Sequence, residues 1–300
     1  MSATEERAAR IASVGYDYAA RKVEPVEACN LCGSTDFVEA AHRDRYGYPA
    51  RFLICRRCGL GFLSPRLTPA EYVAFYERVY RPLVSAFHGR RIDAETVQAE
   101  QREYAAELVE FLRTTLPRPP ASVLDVGGST GIVASAVCAA FGAEGTVLDP
   151  APDELAVAAA AGLETVAGFA EDFDPGERRW ELVLLCQTID HLLDVRATLE
   201  SMRRMTSTGG HAFVDVLDVM LAAHRQGSVE GAVKIDHPYY LTRDTARAFF
   251  VRAGLEPVAE RLSADGHWGF LLAPSAPRDP DWDELRASAA AGIAELQELG

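Results

Sequence analysis

The 300-residue chain has no apolar run that approaches the about 18 residues of a membrane span, which argues against a membrane helix. Its first residues, M-S-A-T-E-E-R-A-A-R, lack the basic-then-apolar order of an export signal. The expectation is a cytoplasmic protein with no membrane partner. Positive charge is also short: 30 Lys and Arg stand against 44 Asp and Glu, for a net charge of −14. That balance argues against nucleic acid as the main partner. Lysine is scarcest, with only Lys22 and Lys234 in the chain. The dinucleotide fingerprint G-x-G-x-x-G is missing as well, which weighs against an NAD-dependent oxidoreductase.

What is present is enough apolar residue, 48%, for a sizeable core. P-R-P-P at 117–120 breaks the chain and marks a domain boundary. Beyond it strands are expected at 122–126, 145–149, 163–167, 181–187, 211–217, 255–262 and 267–273. Helices are expected at 130–141, 151–161, 194–206, 242–253 and 281–299. This alternation predicts an α/β fold, a doubly wound, mostly parallel seven-stranded sheet whose last two strands pair antiparallel. Before the break, a polar helix is expected over 91–116. Another starts at T-P-A-E-Y, with Thr68 as N-cap, Pro69 at the first position and Glu71 completing a capping box. The expected domains are a helix and four-cysteine module at 1–66, a helical region at 67–117, a catalytic domain at 118–275 and a C-terminal helix at 276–300.

V-L-D-V-G-G-S-T-G, residues 123–131, reads as the first strand running into a glycine turn. A loop in that position sits where ligands bind in a doubly wound sheet. Its glycines let backbone approach a ligand, and the following helix offers free N–H groups. Asp125 ends the strand and suits an ammonium group; Asp149, in T-V-L-D-P, ends the next and suits the hydroxyls of a ribose. These residues, with the A-E-D-F segment after the third strand, resemble a class I S-adenosylmethionine (SAM) methyltransferase, although Ser129 stands where that family's middle glycine would be. The resemblance implies SAM as cofactor, with Asp125 and Gly127 at its methionine end and Gly128 and Gly131 also binding it. It also implies Asp149 on the ribose, Glu171 and Asp172 flanking the adenine, and Gln187 beside the cofactor.

Cys29, Cys32, Cys55 and Cys58 form C-x2-C-x22-C-x2-C, each pair followed by a glycine. Four thiolates can close a tetrahedral zinc site with no open position, so the metal would be structural. Free or redox thiols and an iron–sulfur cluster are the alternatives. The segment I-C-R-R-C-G-L-G-F-L-S-P-R-L-T-P-A-E-Y is similar to the zinc-binding N-terminal module of a SAM methyltransferase subgroup that includes deoxysugar C-methyltransferases. That resemblance implies that Tyr76 and Tyr80 approach the cofactor; an ordinary helix face explains them equally well.

Methyl transfer often needs a base, and histidine suits that work near neutral pH. His191 follows the fourth strand of the sheet, and His237 lies in the insert after the fifth; aspartates precede them, Asp190 and Asp236. By resemblance His237 is the preferred base, with Asp236 beside it and His191 positioning substrate; helix-start bonding and local packing are the plainer roles. The insert 218–240 reads as a solvated lid with hinges at Gly227 and Gly231. Its His224, Arg225 and Lys234 would suit an anionic substrate such as a nucleotide diphosphate. The expected activity is methylation of a small molecule at O, N or C, in natural-product or nucleotide-sugar biosynthesis. The rivals are an oxidoreductase and a non-catalytic zinc and nucleotide scaffold.

Overall fold

The computed structural model describes residues 2–92 and 94–299. In chain order come α1 (Ala3–Ser13), β1 (Val23–Glu24), β2 (Phe37–Ala41), β3 (Phe52–Cys55), β4 (Gly61–Leu63), β5 (Arg66–Leu67), α2 (Pro69–Arg78) and α3 (Tyr80–His88). Then follow α4 (Ala94–Thr115), β6 (Ser122–Val126), α5 (Ile132–Phe141), β7 (Glu144–Asp149), α6 (Pro152–Ala160), β8 (Glu164–Ala167), β9 (Trp180–Leu185), α7 (Val195–Met205) and β10 (Thr206–Leu217). The chain closes with α8 (Val219–Gln226), α9 (Val229–Ala232), β11 (Tyr239–Tyr240), α10 (Arg243–Ala253), β12 (Leu255–Leu262), β13 (His267–Pro274) and α11 (Trp282–Leu299).

Two compact units divide these elements. The first comprises Met1–Val97, Asp218–Thr245 and Asp281–Gly300; the second comprises Gln98–Leu217 and Ala246–Pro280. These bounds cut across the four consecutive domains expected from the sequence. The insert after β10 belongs with the first unit because β11 pairs with β4 and completes a sheet ordered β11-β4-β3-β2. α11 joins it too, and the Arg57 guanidinium lies over the Trp282 ring at 4.8 Å. The insert is therefore not a loose lid. Asp218 caps α8 by accepting the Met220 and Leu221 amides, Gly227 ends that helix, and Gly231 lies inside α9. The start of α2 also departs from expectation. Thr68 makes no side-chain capping bond, and Glu71 accepts the Lys22 amide at 3.3 Å instead.

The second unit is built on a seven-stranded sheet ordered β12-β13-β10-β9-β6-β7-β8. From β10 to β8 all pairs are parallel, while β13 runs antiparallel to both β10 and β12. This is the doubly wound, mostly parallel α/β sheet that the alternating pattern predicts. On one face Val123, Leu182, Leu184 and Phe213 pack against Leu108 and Leu112 of α4 and Val133 and Val137 of α5. α7 packs against β9 and β10, held at its start by Asp194, whose carboxylate accepts the Ala197 amide at 3.0 Å. The strand order runs outward from β6 toward β8 and from β9 toward β12. The β6–β9 boundary is thus the switch point, where the carboxyl ends of strands leave a crevice for ligands.

Candidate active site

In the second unit the turn after β6 leaves no room for a Cβ at any of its three glycines. A Cβ on Gly127 would stand 2.7 Å from Thr188 Cγ2, and one on Gly128 would stand 2.7 Å from Asp125 Cγ. Gly131 has φ +74°, and its Cβ would meet Leu163 Cδ1 at 2.4 Å. Ser129, with φ +50°, shares the left-handed region that side chains rarely occupy. Its amide donates to Asp149 Oδ2 at 2.9 Å, while the Ala151 amide donates to Oδ1 at 2.8 Å. Asp149 is buried with both oxygens oriented, and that burial pushes its carboxyl up. The turn is a cradle of bare backbone next to a fixed carboxylate, which fits a nucleoside with vicinal hydroxyls.

Asp125 is 1% exposed, and neither of its oxygens has a hydrogen-bond partner among the described residues. Burial pushes its carboxyl up to about 7; the Ala134 amide faces it and offsets part of that, outside hydrogen-bond geometry. Asp215, at the carboxyl end of β10, is 2% exposed. Its Oδ1 accepts the Gln187 amide at 2.6 Å, and its Oδ2 has no hydrogen-bond partner among the described residues. Burial raises its carboxyl too. Beside it the Tyr104 hydroxyl of α4 is buried without a partner in hydrogen-bond geometry. Two buried carboxylates with spare oxygens are costly in isolation and fit a cationic ligand group. Asp215 and Tyr104 escape sequence reasoning because no local motif marks them; their only sequence signal is a polar residue in an otherwise apolar strand or helix face.

Gln187, Glu171 and Asp172 lie in the same unit, whereas the cofactor candidates Tyr76 and Tyr80 lie in the first. Gln187 holds an exposed side chain on a backbone with φ +51°, a strained turn of the kind that gathers at ligand sites. Glu171 is half-buried, and its Oε2 accepts the Thr198 hydroxyl at 3.3 Å. Asp172 is exposed. Phe169, which the sequence reading passed over, is half-exposed two residues before Glu171. His191 ends a 3-10 turn at Ile189–His191, donates its amide to the Thr188 carbonyl at 3.0 Å, and has Asp190 Oδ1 at 3.9 Å from Nε2.

His237 belongs to the first unit and is 4% exposed. Its Nε2 lies 3.2 Å from Lys234 Nζ and 3.6 Å from Asp236 Oδ2. Asp236 is 1% exposed, and neither carboxylate oxygen has a hydrogen-bond partner among the described residues. Tyr76 donates its hydroxyl to the Asp236 carbonyl at 3.0 Å and packs its ring 5.3 Å from that of Tyr80. Of the insert's cations, Arg225 is exposed and His224 is bonded to Glu295.

The four cysteines of the first unit converge, with all sulfurs within 4.8 Å of one another. Cys29 and Cys58 sulfurs are 3.5 Å apart, as are those of Cys32 and Cys55. A Zn–S bond of about 2.3 Å sets tetrahedral sulfurs about 3.8 Å apart, so the cluster fits zinc. Each pair forms a knuckle: Gly33 donates its amide to the Cys29 carbonyl at 2.8 Å, and Gly59 to the Cys55 carbonyl at 2.8 Å. Bonds from the neighbouring thiols hold Cys32 and Cys55 below the ordinary thiol range. The same bonds push Cys29 and Cys58 up.

A family model described as a methyltransferase domain matches residues 97–260, more than half of the chain. The chain belongs to the methyltransferase domain family. It is an enzyme, a SAM-dependent methyltransferase. Among solved structures, this methyltransferase is similar to the PH0226 protein from Pyrococcus horikoshii OT3, at 15% identity and a TM-score of 0.52, over 59% of this chain and 92% of that one. It is also similar to the complex between the Haloferax volcanii Trm112 methyltransferase activator and a methyltransferase, at 17% identity and a TM-score of 0.50, over 61% and 96%. A third, TnmH, shares 20% identity at a TM-score of 0.50, over 68% of this chain and 61% of that one. These likenesses speak to the fold. No curated protein matches the sequence. No helix among the described residues is long and apolar enough to cross a membrane.

Proposed function

We propose that this methyltransferase transfers the methyl group of SAM to oxygen, nitrogen or carbon of a small cytoplasmic acceptor, in natural-product or nucleotide-sugar biosynthesis. The observation that carries the SAM site is the bare-backbone cradle at Gly127–Gly131 with Asp149 fixed beside it by the Ser129 and Ala151 amides. When bound, SAM supplies an electrophilic methyl on a sulfonium. Asp149 accepts the ribose hydroxyls through oxygens already aimed by two amides. Asp125 and Asp215 offer their spare oxygens to the cationic methionine end, with the Tyr104 hydroxyl alongside. Glu171 and Asp172 flank the adenine, and the Phe169 ring gives it an apolar surface.

His237 takes the acceptor's proton; the Asp236 carboxylate, 3.6 Å from its Nε2, and the Lys234 ammonium, 3.2 Å from the same atom, orient the ring. His191 positions the acceptor. Cys29, Cys32, Cys55 and Cys58 hold a structural zinc, a closed set with no place for a substrate. Calorimetric titration with S-adenosylhomocysteine, with NAD as control, tests the cofactor reading. Micromolar binding of the first alone is expected; binding of NAD alone would overturn it.

A further inference from the structure

Asp44 lies in the turn between β2 and β3 and is 3% exposed. Its Oδ1 accepts the amides of Tyr46 at 3.0 Å and Tyr48 at 2.9 Å. Its Oδ2 accepts the amide of Ile235 at 3.2 Å, a residue 191 positions further along the chain. Ile235 stands two residues before His237. An ordinary turn needs only the first pair of bonds, which a neutral asparagine can accept with its single oxygen. The third bond calls for an acceptor on both sides of the group, and only a carboxylate offers that. The requirement is costly, because burial pushes the Asp44 carboxyl up to about 7.

The surrounding bonds converge on the same segment. The Arg45 amide donates to the Val233 carbonyl at 2.9 Å, and the Leu63 amide donates to the Pro238 carbonyl at 3.1 Å. Tyr239 and Tyr240 pair with Phe62 and Gly61 of β4. The Tyr240 hydroxyl accepts the Lys234 amide at 2.7 Å and donates to the Lys234 carbonyl at 2.6 Å, so the segment is also closed on itself. Apart from the Tyr76 hydroxyl of α2 on the Asp236 carbonyl, the external tethers named come from the sheet that carries Cys55, or from the turns joining its strands.

We propose that Asp44 is a positioning residue for His237: it ties residues 233–238 to the cysteine-bearing sheet, which thereby acts as the template for the base. The catalytic half of this inference rests on His237 being the base; the tether does not. Asp44→Asn in the full-length, zinc-loaded protein separates the roles. Its amide oxygen serves the Tyr46 and Tyr48 amides, leaving an NH2 group facing the Ile235 N–H. Hydrogen exchange and the imidazole resonances of His237 are the readouts, and neither needs an acceptor substrate. Exchange of the 233–237 amides should quicken roughly tenfold or more, the loss expected for a hydrogen bond to a charged group. The His237 ring resonances should shift. Zinc content, protection of β3 and affinity for S-adenosylhomocysteine should hold. Asp44→Ala should move the same readouts further. Unchanged exchange and resonances in both variants would overturn the tether. Loosening that spreads through β3 with loss of zinc would reduce Asp44 to a structural support. Full turnover by His237→Ala would overturn the base assignment while leaving the tether standing.

Discussion

The two units of this methyltransferase reach order by different routes. The second rests on a seven-stranded sheet whose face buries Val123, Leu182, Leu184 and Phe213 under two helices. The first has short strands that bury side chains such as Phe52, Phe62 and Leu63, and adds to that burial a cluster of four thiols and single polar bonds such as Asp44 to Ile235. Burial of apolar area spreads stability over many side chains, so no one residue is decisive. A metal knot and long-range tethers concentrate it in a few. The contrast teaches where each unit is vulnerable, and it can be broken experimentally.

The largest effect should come from Cys55→Ser. Structural zinc contributes on the order of 10 kcal/mol in small domains, so this variant should lose its zinc and most soluble protein. Retained zinc at full stoichiometry, by elemental analysis, would refute the four-cysteine site. A pH response should come from both units, because the Asp44 carboxyl of the first and the Asp125 carboxyl of the second are each raised to about 7. Asp125 is raised from 3.8 to about 7, so the folded protein holds a proton that the unfolded chain has released. Its contribution to stability is fully present below pH about 4 and is lost as pH rises through about 7. Denaturant titrations should show a shallower slope in Asp125→Asn than in the wild type, the remainder coming from Asp44, Asp149 and Asp215; parallel curves would remove Asp125 as a source.

Next in size is His237→Ala, which should lower turnover by about 100-fold or more, as expected of a lost general base, while affinity for S-adenosylhomocysteine is kept. Equal turnover would end its role. Asp149→Ala should weaken S-adenosylhomocysteine by about 1.5–3 kcal/mol in calorimetry, with no change in zinc content. Unchanged affinity would take Asp149 out of the site. The smallest effect sharpens the comparison from the other side. Thr68→Ala should shift stability by less than about 0.5 kcal/mol, because Thr68 makes no capping bond. A melting shift worth about 1 kcal/mol would mean that the cap forms in solution.

The same contrast governs what the sequence could reveal. In the second unit each strand carries its own apolar run and each helix its own period, so local patterns locate β6 to β10 and the antiparallel pair β12 and β13. The glycine turn and Asp149 are legible for the same reason: their chemistry is set within about 25 residues. The cysteine cluster is legible because thiol spacing is itself a signal. Residues 218–240 are not, since β11 is two residues long and means nothing without β4. Asp44, Tyr104 and Asp215 escape as well, because each depends on groups far along the chain. The Thr68 box is the opposite error, a local rule overridden when Glu71 finds Lys22.

The pairing of β11 with β4 also has a bearing on how the chain is made. Residues 61–63 leave the ribosome long before residues 239–240 do. At about 5–20 residues per second, the edge of β4 waits some ten seconds or longer for its neighbour. During that interval the nascent protein exposes the open edge of an apolar strand, Gly61–Leu63, whose other edge pairs with β3, beside a four-cysteine cluster that is already complete in sequence. Early zinc capture would hold that strand in register while the parallel sheet is synthesised, so metal supply during translation should govern yield more than metal supply afterwards.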